Sequence, residues 1–166
     1  MFKYYENVFD RPTYDQINSE SEAGFKSTGL FNSYAHWPEY IVKDSAPVLA
    51  INVLNDTTTF RMFNIITNDL FNRSAKSIMF YYWMSGSHIP WHTDGHKDAA
   101  LTYYINEVWD RDWGGLYLYK PDPTSDDIHA KVPRYNTLGV QTNKMPHAIS
   151  STTKSAPIRR TVQVFI

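Results

Sequence analysis

The chain has 166 residues, a formal net charge of −1 and no cysteine. That length suits one domain with a sizeable core, and the missing cysteines exclude disulfides, thiolate zinc sites, iron–sulfur clusters and thiol catalysis. The near-neutral charge gives no global field to draw in nucleic acid or an anionic membrane surface.

The N-terminal third, residues 1–55, reads as largely irregular, with a short helix over 15–25 and a strand over 46–54. Pro38 and Pro47 interrupt the stretch between them. Asn55-Asp56 look like a helix start, and Phe60, Phe63, Ile66 or Thr67, and Leu70 follow at helical spacing. The spacing predicts an amphipathic helix over 57–72 whose apolar face packs on a sheet. From residue 75 on, the pattern predicts short strands over 77–84, 89–94, 100–107, 116–120, 128–132, 137–141, 147–150 and 158–166. Gly86, Gly95, Gly114-Gly115, Pro121-Asp122-Pro123, Asn136 and Asn143 punctuate them. Eight strands so spaced predict a mainly β fold with flanking helices, a double-sheet jelly roll or barrel. The whole chain reads as a single domain, with 1–74 as helix-containing support and candidate lid and 75–166 as the β core. Aromatic residues make up 16% of the chain, which suits half-buried pleated surfaces.

Within this pattern His92-Thr93-Asp94 stands out, with His147 downstream. Residues i and i+2 of a strand share a face, roughly 6.6 Å apart, so His92 and Asp94 can reach one ion. His147 must come from another strand. Two histidines and a carboxylate hold non-haem Fe(II) on one face and leave the other positions open. Zinc, nickel or manganese fits the same three donors. His96, four residues after His92, would share its face only on a helix, which Pro90 and Gly95 oppose. It reads as a loop residue at the mouth of the site.

Residues 75–166 resemble the catalytic core of the Fe(II)/2-oxoglutarate-dependent dioxygenases, most closely the prolyl 4-hydroxylase-like branch. The resemblance rests on ordered motifs. The His-x-Asp of that family looks like His92-Thr93-Asp94, reached through Gly86-Ser87-His88-Ile89-Pro90-Trp91. Its Tyr-Leu-Asn strand resembles Tyr104-Ile105-Asn106, and its Gly-Gly resembles Gly114-Gly115. The turn before the sixth strand looks like Pro133-Arg134-Tyr135-Asn136, and the distal histidine matches His147. The basic residue of the last strand is matched by Arg159. The resemblance implies a double-stranded β-helix of eight strands, Fe(II), 2-oxoglutarate and O2, with ascorbate as a candidate reductant. It also implies hydroxylation of a prolyl or similar residue in a peptide or protein, with release of succinate and CO2.

On that reading His92, Asp94 and His147 hold the metal and Arg159 grips the far carboxylate of 2-oxoglutarate, since a buried carboxylate needs a paired cation. Strand alternation puts Arg159, Thr161 and Gln163 on one face and Arg160, Val162, Val164 and Ile166 on the other, more apolar face. Arg159 beside Thr161 is preferred, and a bulge would put Arg160 in its place. Tyr82 is a further cosubstrate candidate, with Tyr81 facing the other way. His88, Trp91 and Trp113 are candidates for the substrate groove, which the loops near 86–90, 108–114 and 121–127 would form.

Two alternatives stand beside this one. The first is an oxygenase acting on a nucleobase or small metabolite, with nucleic acid disfavoured by the neutral charge. The second is a cupin-like jelly roll that binds a metal or ligand without redox chemistry. The start Met1-Phe2-Lys3-Tyr4-Tyr5-Glu6 lacks the apolar stretch of a signal peptide, and no run reaches membrane-spanning length. The expectation is a cytoplasmic enzyme without membrane contact. Its compactness suits a stand-alone viral or bacterial protein.

Overall fold

The computed structural model of the chain describes residues 2–27, 33–35, 48–94, 97–142 and 145–166. Strand β1 (Phe2–Glu6) leads into helix α1 (Arg11–Lys26), followed by β2 (Ser33–Ala35), β3 (Val48–Asn52) and helix α2 (Thr58–Phe71). Eight strands follow: β4 (Ser77–Trp83), β5 (Ile89–His92), β6 (Ala99–Tyr104), β7 (Tyr117–Tyr119), β8 (His129–Lys131), β9 (Thr137–Thr142), β10 (His147–Ile149) and β11 (Arg159–Phe165). Each lies where the sequence pattern places a strand, and most are a residue or more shorter at one end or both.

The strands form two antiparallel sheets, ordered β1-β9-β6-β11-β4-β3-β2 and β5-β10-β7-β8. From β4 to β11 the chain supplies four strands to each sheet, which is the double-stranded β-helix arrangement of a jelly roll. Alternation along β4 shows how one strand serves two cores. Ile78, Phe80 and Tyr82 join a cluster with Tyr14 and Ile17 of α1 and Phe63 of α2. Tyr81 and Trp83 face the other way, into a second cluster between the sheets with Ile89, Tyr117 and Ile149. The helices therefore cover one face of the large sheet, and the small sheet covers the other.

Both helices begin on side-chain caps. Asp10 accepts from Thr13 N at 3.0 Å at the start of α1, so that helix begins four residues before the expected one. The α2 cap is Thr57, whose Oγ1 accepts from Phe60 N at 3.2 Å. Asn55-Asp56 instead form a turn closed by Thr57 N to Leu54 O at 3.2 Å. The carboxylate of Glu20 in α1 accepts from Thr58 N, Thr59 N and Thr59 Oγ1 at 2.9, 2.9 and 2.6 Å. It thereby places a negative charge at the positive end of α2 and joins the two helices. On α2 the buried stripe runs through Thr59, Phe63 and Thr67. Leu70, expected on the apolar face, is 41% exposed.

Strand β1 lies in the stretch expected to be irregular. It pairs with β9 along its whole length. Asn136, in the left-handed conformation at φ 52°, ties the following segment down: its Oδ1 accepts from Phe9 N and from the Tyr103 hydroxyl, and its Nδ2 donates to Phe9 O. Pro38, Pro47, His36, Gly95, His96 and Asn143 lie outside the described residues.

Candidate active site

The cavity between the sheets opens beside His92, Asp94 and His147. His92 ends β5 and His147 begins β10, and the two are cross-strand partners, so their side chains leave the small sheet on the same face. Their ring centroids are 4.2 Å apart. Strand β5 stops at His92, so Asp94 reaches the cluster from the segment just beyond the strand rather than from the strand itself. Asp94 Oδ1 lies 3.7 Å from His92 Nε2 and Oδ2 lies 3.7 Å from His147 Nε2. One donor atom from each of the three falls within 4.8 Å of the others.

The histidines are set up to ligate through Nε2. Nδ1 of His92 lies 2.8 Å from Pro90 O, and Nδ1 of His147 lies 3.0 Å from Met145 O. A proton on each Nδ1 satisfies the carbonyl and leaves the Nε2 lone pair free. Burial pushes the His147 pKa down to about 4, against the pull of Asp94 and with help from His92. A neutral imidazole is the form that binds a metal.

Arg159 occupies another part of the same cavity. It is fully buried, and none of its three guanidinium nitrogens has a hydrogen-bond partner among the described residues. The group is held between rings, 4.7 Å from the Trp83 centroid and 5.2 Å from that of Tyr104. Desolvation lowers its pKa, with Tyr104 opposing. Among the described residues the Tyr104 hydroxyl has no partner in good hydrogen-bond geometry either; burial pushes its pKa up to about 12, while the Arg159 charge and a weak hydrogen bond with it pull it down. A buried cation whose polar neighbour is a neutral hydroxyl is a site lacking an anion. Two imidazoles and a carboxylate, with no sulfur, suit Fe(II). The residues present therefore fit both Fe(II) and a carboxylate cosubstrate.

Gly114 and Gly115 allow the close approaches behind this site. A Cβ on Gly115 would lie 2.9 Å from Arg159 Cδ, and one on Gly114 would lie 2.0 Å from Ser151 O. Both residues have positive φ, at 62° and 71°, which glycine alone adopts without strain.

Thr161 shares the face of Arg159, and its Oγ1 accepts from Trp83 Nε1 at 3.3 Å. Arg160 faces the helices and lies 3.5 Å from Glu22, so β11 carries no bulge that would exchange the two arginines. Tyr82 requires a correction. It pairs with Arg160 in the register of β4 and β11, and its hydroxyl donates to Ser21 O at 2.7 Å on the helix side. Tyr81, paired with Thr161, is the one that lines the cavity.

The three groove candidates do not line the cavity either. His88 is half-buried with Nδ1 2.9 Å from Gly86 O. Trp91 is 40% exposed and, one residue before His92, points to the opposite face of β5. Trp113 packs edge-on against Trp109 at 5.5 Å. In their place the cavity is walled by Tyr81, Trp83, Tyr104, Tyr117 and Gln163. The signal for Tyr104 was present in the Tyr-Ile-Asn motif and that for Gln163 in strand parity with Arg159, whereas Trp83 reaches the cavity through its register opposite Arg159.

A sequence model of the family described as the 2OG-Fe(II) oxygenase superfamily matches residues 77–166. No curated protein sequence matches the chain. Among solved structures, the chain is similar to a prolyl hydroxylase from Trichoplax adhaerens in complex with a peptide fragment of the hypoxia inducible factor oxygen degradation domain. The TM-score is 0.83 at 13% identity, over 99% of this chain and 82% of that one. It is also similar to a prolyl-4-hydroxylase from Pseudomonas putida, with TM-score 0.73, 14% identity and coverage of 99% and 91%. A third similar structure is the non-heme alpha ketoglutarate dependent epimerase SnoN from nogalamycin biosynthesis, with TM-score 0.73, 8% identity and coverage of 99% and 76%. At these identities the likeness is one of fold, and the fold serves more than one reaction.

Proposed function

The chain belongs to the 2OG-Fe(II) oxygenase superfamily, and from that membership we propose that it hydroxylates a prolyl or similar residue in a peptide or protein. The observation that carries the oxygenase chemistry is the joint presence, in one cavity, of a three-donor cluster and a buried cation with no anionic partner among the described residues. A metal-binding jelly roll without a carboxylate cosubstrate has no use for Arg159 in that state. The peptide substrate is supported by likeness of fold to two prolyl hydroxylases, one of them bound to a peptide.

His92, Asp94 and His147 would hold Fe(II), and Arg159 would hold the far carboxylate of 2-oxoglutarate. Bound there, the pair supplies the oxidation: one oxygen atom of O2 goes to a substrate C–H and the other to succinate, with CO2 released. The protein positions and protects. Trp83 and Tyr104 flank the guanidinium on two sides, exclude water and leave its nitrogens to a carboxylate. In that dry setting each charge-assisted hydrogen bond is stronger than in water. The Tyr104 hydroxyl stays protonated at neutral pH and can donate to the same carboxylate. Trp83 Nε1 donates to the Thr161 hydroxyl at 3.3 Å, and Thr161 itself is not part of the cavity lining.

The test is mass spectrometry of proline-rich peptides after aerobic incubation with Fe(II) and 2-oxoglutarate, with succinate measured in parallel. The expected result is a mass gain of one oxygen atom on a prolyl residue. Succinate release without that gain on any peptide would move the substrate to another class and leave the reaction type standing.

A further inference from the structure

Around His147 three buried groups from different elements meet. The ring of Tyr117, on β7, is stacked on the imidazole, with centroids 5.5 Å apart and planes at 19°. The Tyr117 hydroxyl donates to Gln141 Oε1. Gln141, near the end of β9, sends Nε2 to Met145 O at 2.9 Å, and that carbonyl also lies 3.0 Å from His147 Nδ1. Gln141 Nε2 also lies 2.9 Å from Nδ1; with the proton on Nδ1 that approach is between two donors, both directed at the Met145 carbonyl.

The two histidines differ in what holds their Nδ1 partner. Pro90, whose carbonyl lies beside His92 Nδ1, sits within β5, at the point where the pairing of β5 with β10 shifts register. Met145, which faces His147, lies outside any strand, between β9 and β10. Its carbonyl needs another tether, and the buried amide of Gln141 is placed to be one. An amide has two ends, and one end must be pinned if the other is to point correctly. Tyr117 pins the oxygen end, which leaves the nitrogen end for Met145 O. A carbonyl with two lone pairs can then accept from both Gln141 and His147.

We propose that Gln141 and Tyr117 are positioning residues for the metal centre: Tyr117 orients the Gln141 amide, Gln141 fixes the Met145 carbonyl, and that carbonyl holds His147 with its proton on Nδ1 and Nε2 turned toward Asp94. This rests on the reading of His147 as a metal ligand. Outer-shell partners of this kind typically change metal affinity 10–100-fold.

The experiment is anaerobic titration of the full chain with Co(II), followed by its visible absorption, for wild type, Gln141→Leu and Tyr117→Phe. Thermal unfolding of the metal-free proteins runs alongside, and the ring 15N shifts of His147 are read in the Zn(II)-loaded forms. Gln141→Leu is expected to weaken Co(II) binding about 10–100-fold. Tyr117→Phe keeps the stacked ring, loses only the hydroxyl, and is expected to weaken binding about fivefold. In both, the Nδ1 proton signal of His147 should shift away from its hydrogen-bonded position. A purely structural role would lower the unfolding temperature and leave Co(II) affinity and the 15N shifts at wild-type values, and that result overturns the proposal. Wild-type protein that takes up no Co(II) would instead remove the metal centre, and the inference with it.

Discussion

Strands β4 and β11 lie side by side, yet their two faces are built to different standards. On the helix side the large polar groups are paired within the protein. Tyr82 donates to Ser21 O at 2.7 Å, Tyr14 to Ile105 O at 2.6 Å and Tyr103 to Asn136 at 2.9 Å, while Arg160 lies 3.5 Å from Glu22. The exceptions there are neutral atoms, Ser21 Oγ and Asn18 Oδ1. On the cavity side, among the described residues, a full charge, Arg159, has no anionic partner and only the neutral Tyr104 hydroxyl beside it. Burying an unpaired charge costs several kcal/mol even after relaxation. The helix face is complete without a ligand and the cavity face is not, and that incompleteness locates the chemistry better than any exposed aromatic does.

The largest effect should come from breaking the metal end. His147→Ala is expected to abolish the visible charge-transfer band that Fe(II) and 2-oxoglutarate give together under anaerobic conditions, and to reduce succinate formation to background. A band of wild-type strength would mean that His147 is not a ligand. Arg159→Met tests the other part of the cavity with two opposed readouts. The 2-oxoglutarate needed for half the band should rise about a hundredfold, since two charge-assisted hydrogen bonds are lost at about 1.5 kcal/mol each. The ligand-free protein, however, should become more stable by about 1–4 kcal/mol in urea, because an apolar chain replaces an uncompensated charge. A destabilised variant would mean that the stacked rings already satisfy Arg159, and the contrast between the faces would fail.

Much of this was legible in the sequence because period-2 patterning and turn residues are local signals. The eight strands of the two-sheet core, α2 and the two histidines of the donor cluster lie where the pattern places them, while Asp94 joins them from just beyond the strand expected to carry it. Parity within β11 separated Arg159 from Arg160 without any structure. What parity cannot supply is register between strands. Tyr81 and Tyr82 could not be assigned to faces until β4 was aligned on β11, where Tyr82 meets Arg160. Strand β1 was missed because five residues with two tyrosines side by side carry too little alternation. Its place depends on pairing with β9, more than 130 residues away in the chain. Trp91, His88 and Trp113, drawn in by residue type as groove candidates, lie outside the lining of the cavity.

Two smaller predictions probe the completeness of the helix face. Glu20→Ala removes three hydrogen bonds at the start of α2. It is expected to cost about 1–2 kcal/mol in urea denaturation, with the 2-oxoglutarate requirement unchanged. A shift in that requirement would show that α1 and α2 bear on the cavity through the sheet.

Tyr82→Phe is the smallest and the most discriminating change. The residue is fully buried, and its hydroxyl donates to Ser21 O. Removing it should cost about 1 kcal/mol and leave the charge-transfer titration at wild-type values. The neighbouring Tyr81 stands one residue away on the same strand, yet its ring lines the cavity and its pKa is raised first by burial and then by Asp94. If Tyr82→Phe raised the 2-oxoglutarate requirement severalfold, the face assignment of β4 would be wrong by one residue. Arg159 would then move to the helix side with it, because the register pairs Arg159 with Trp83 and Arg160 with Tyr82. A change of one oxygen atom thus tests the parity on which the whole placement of the cavity depends.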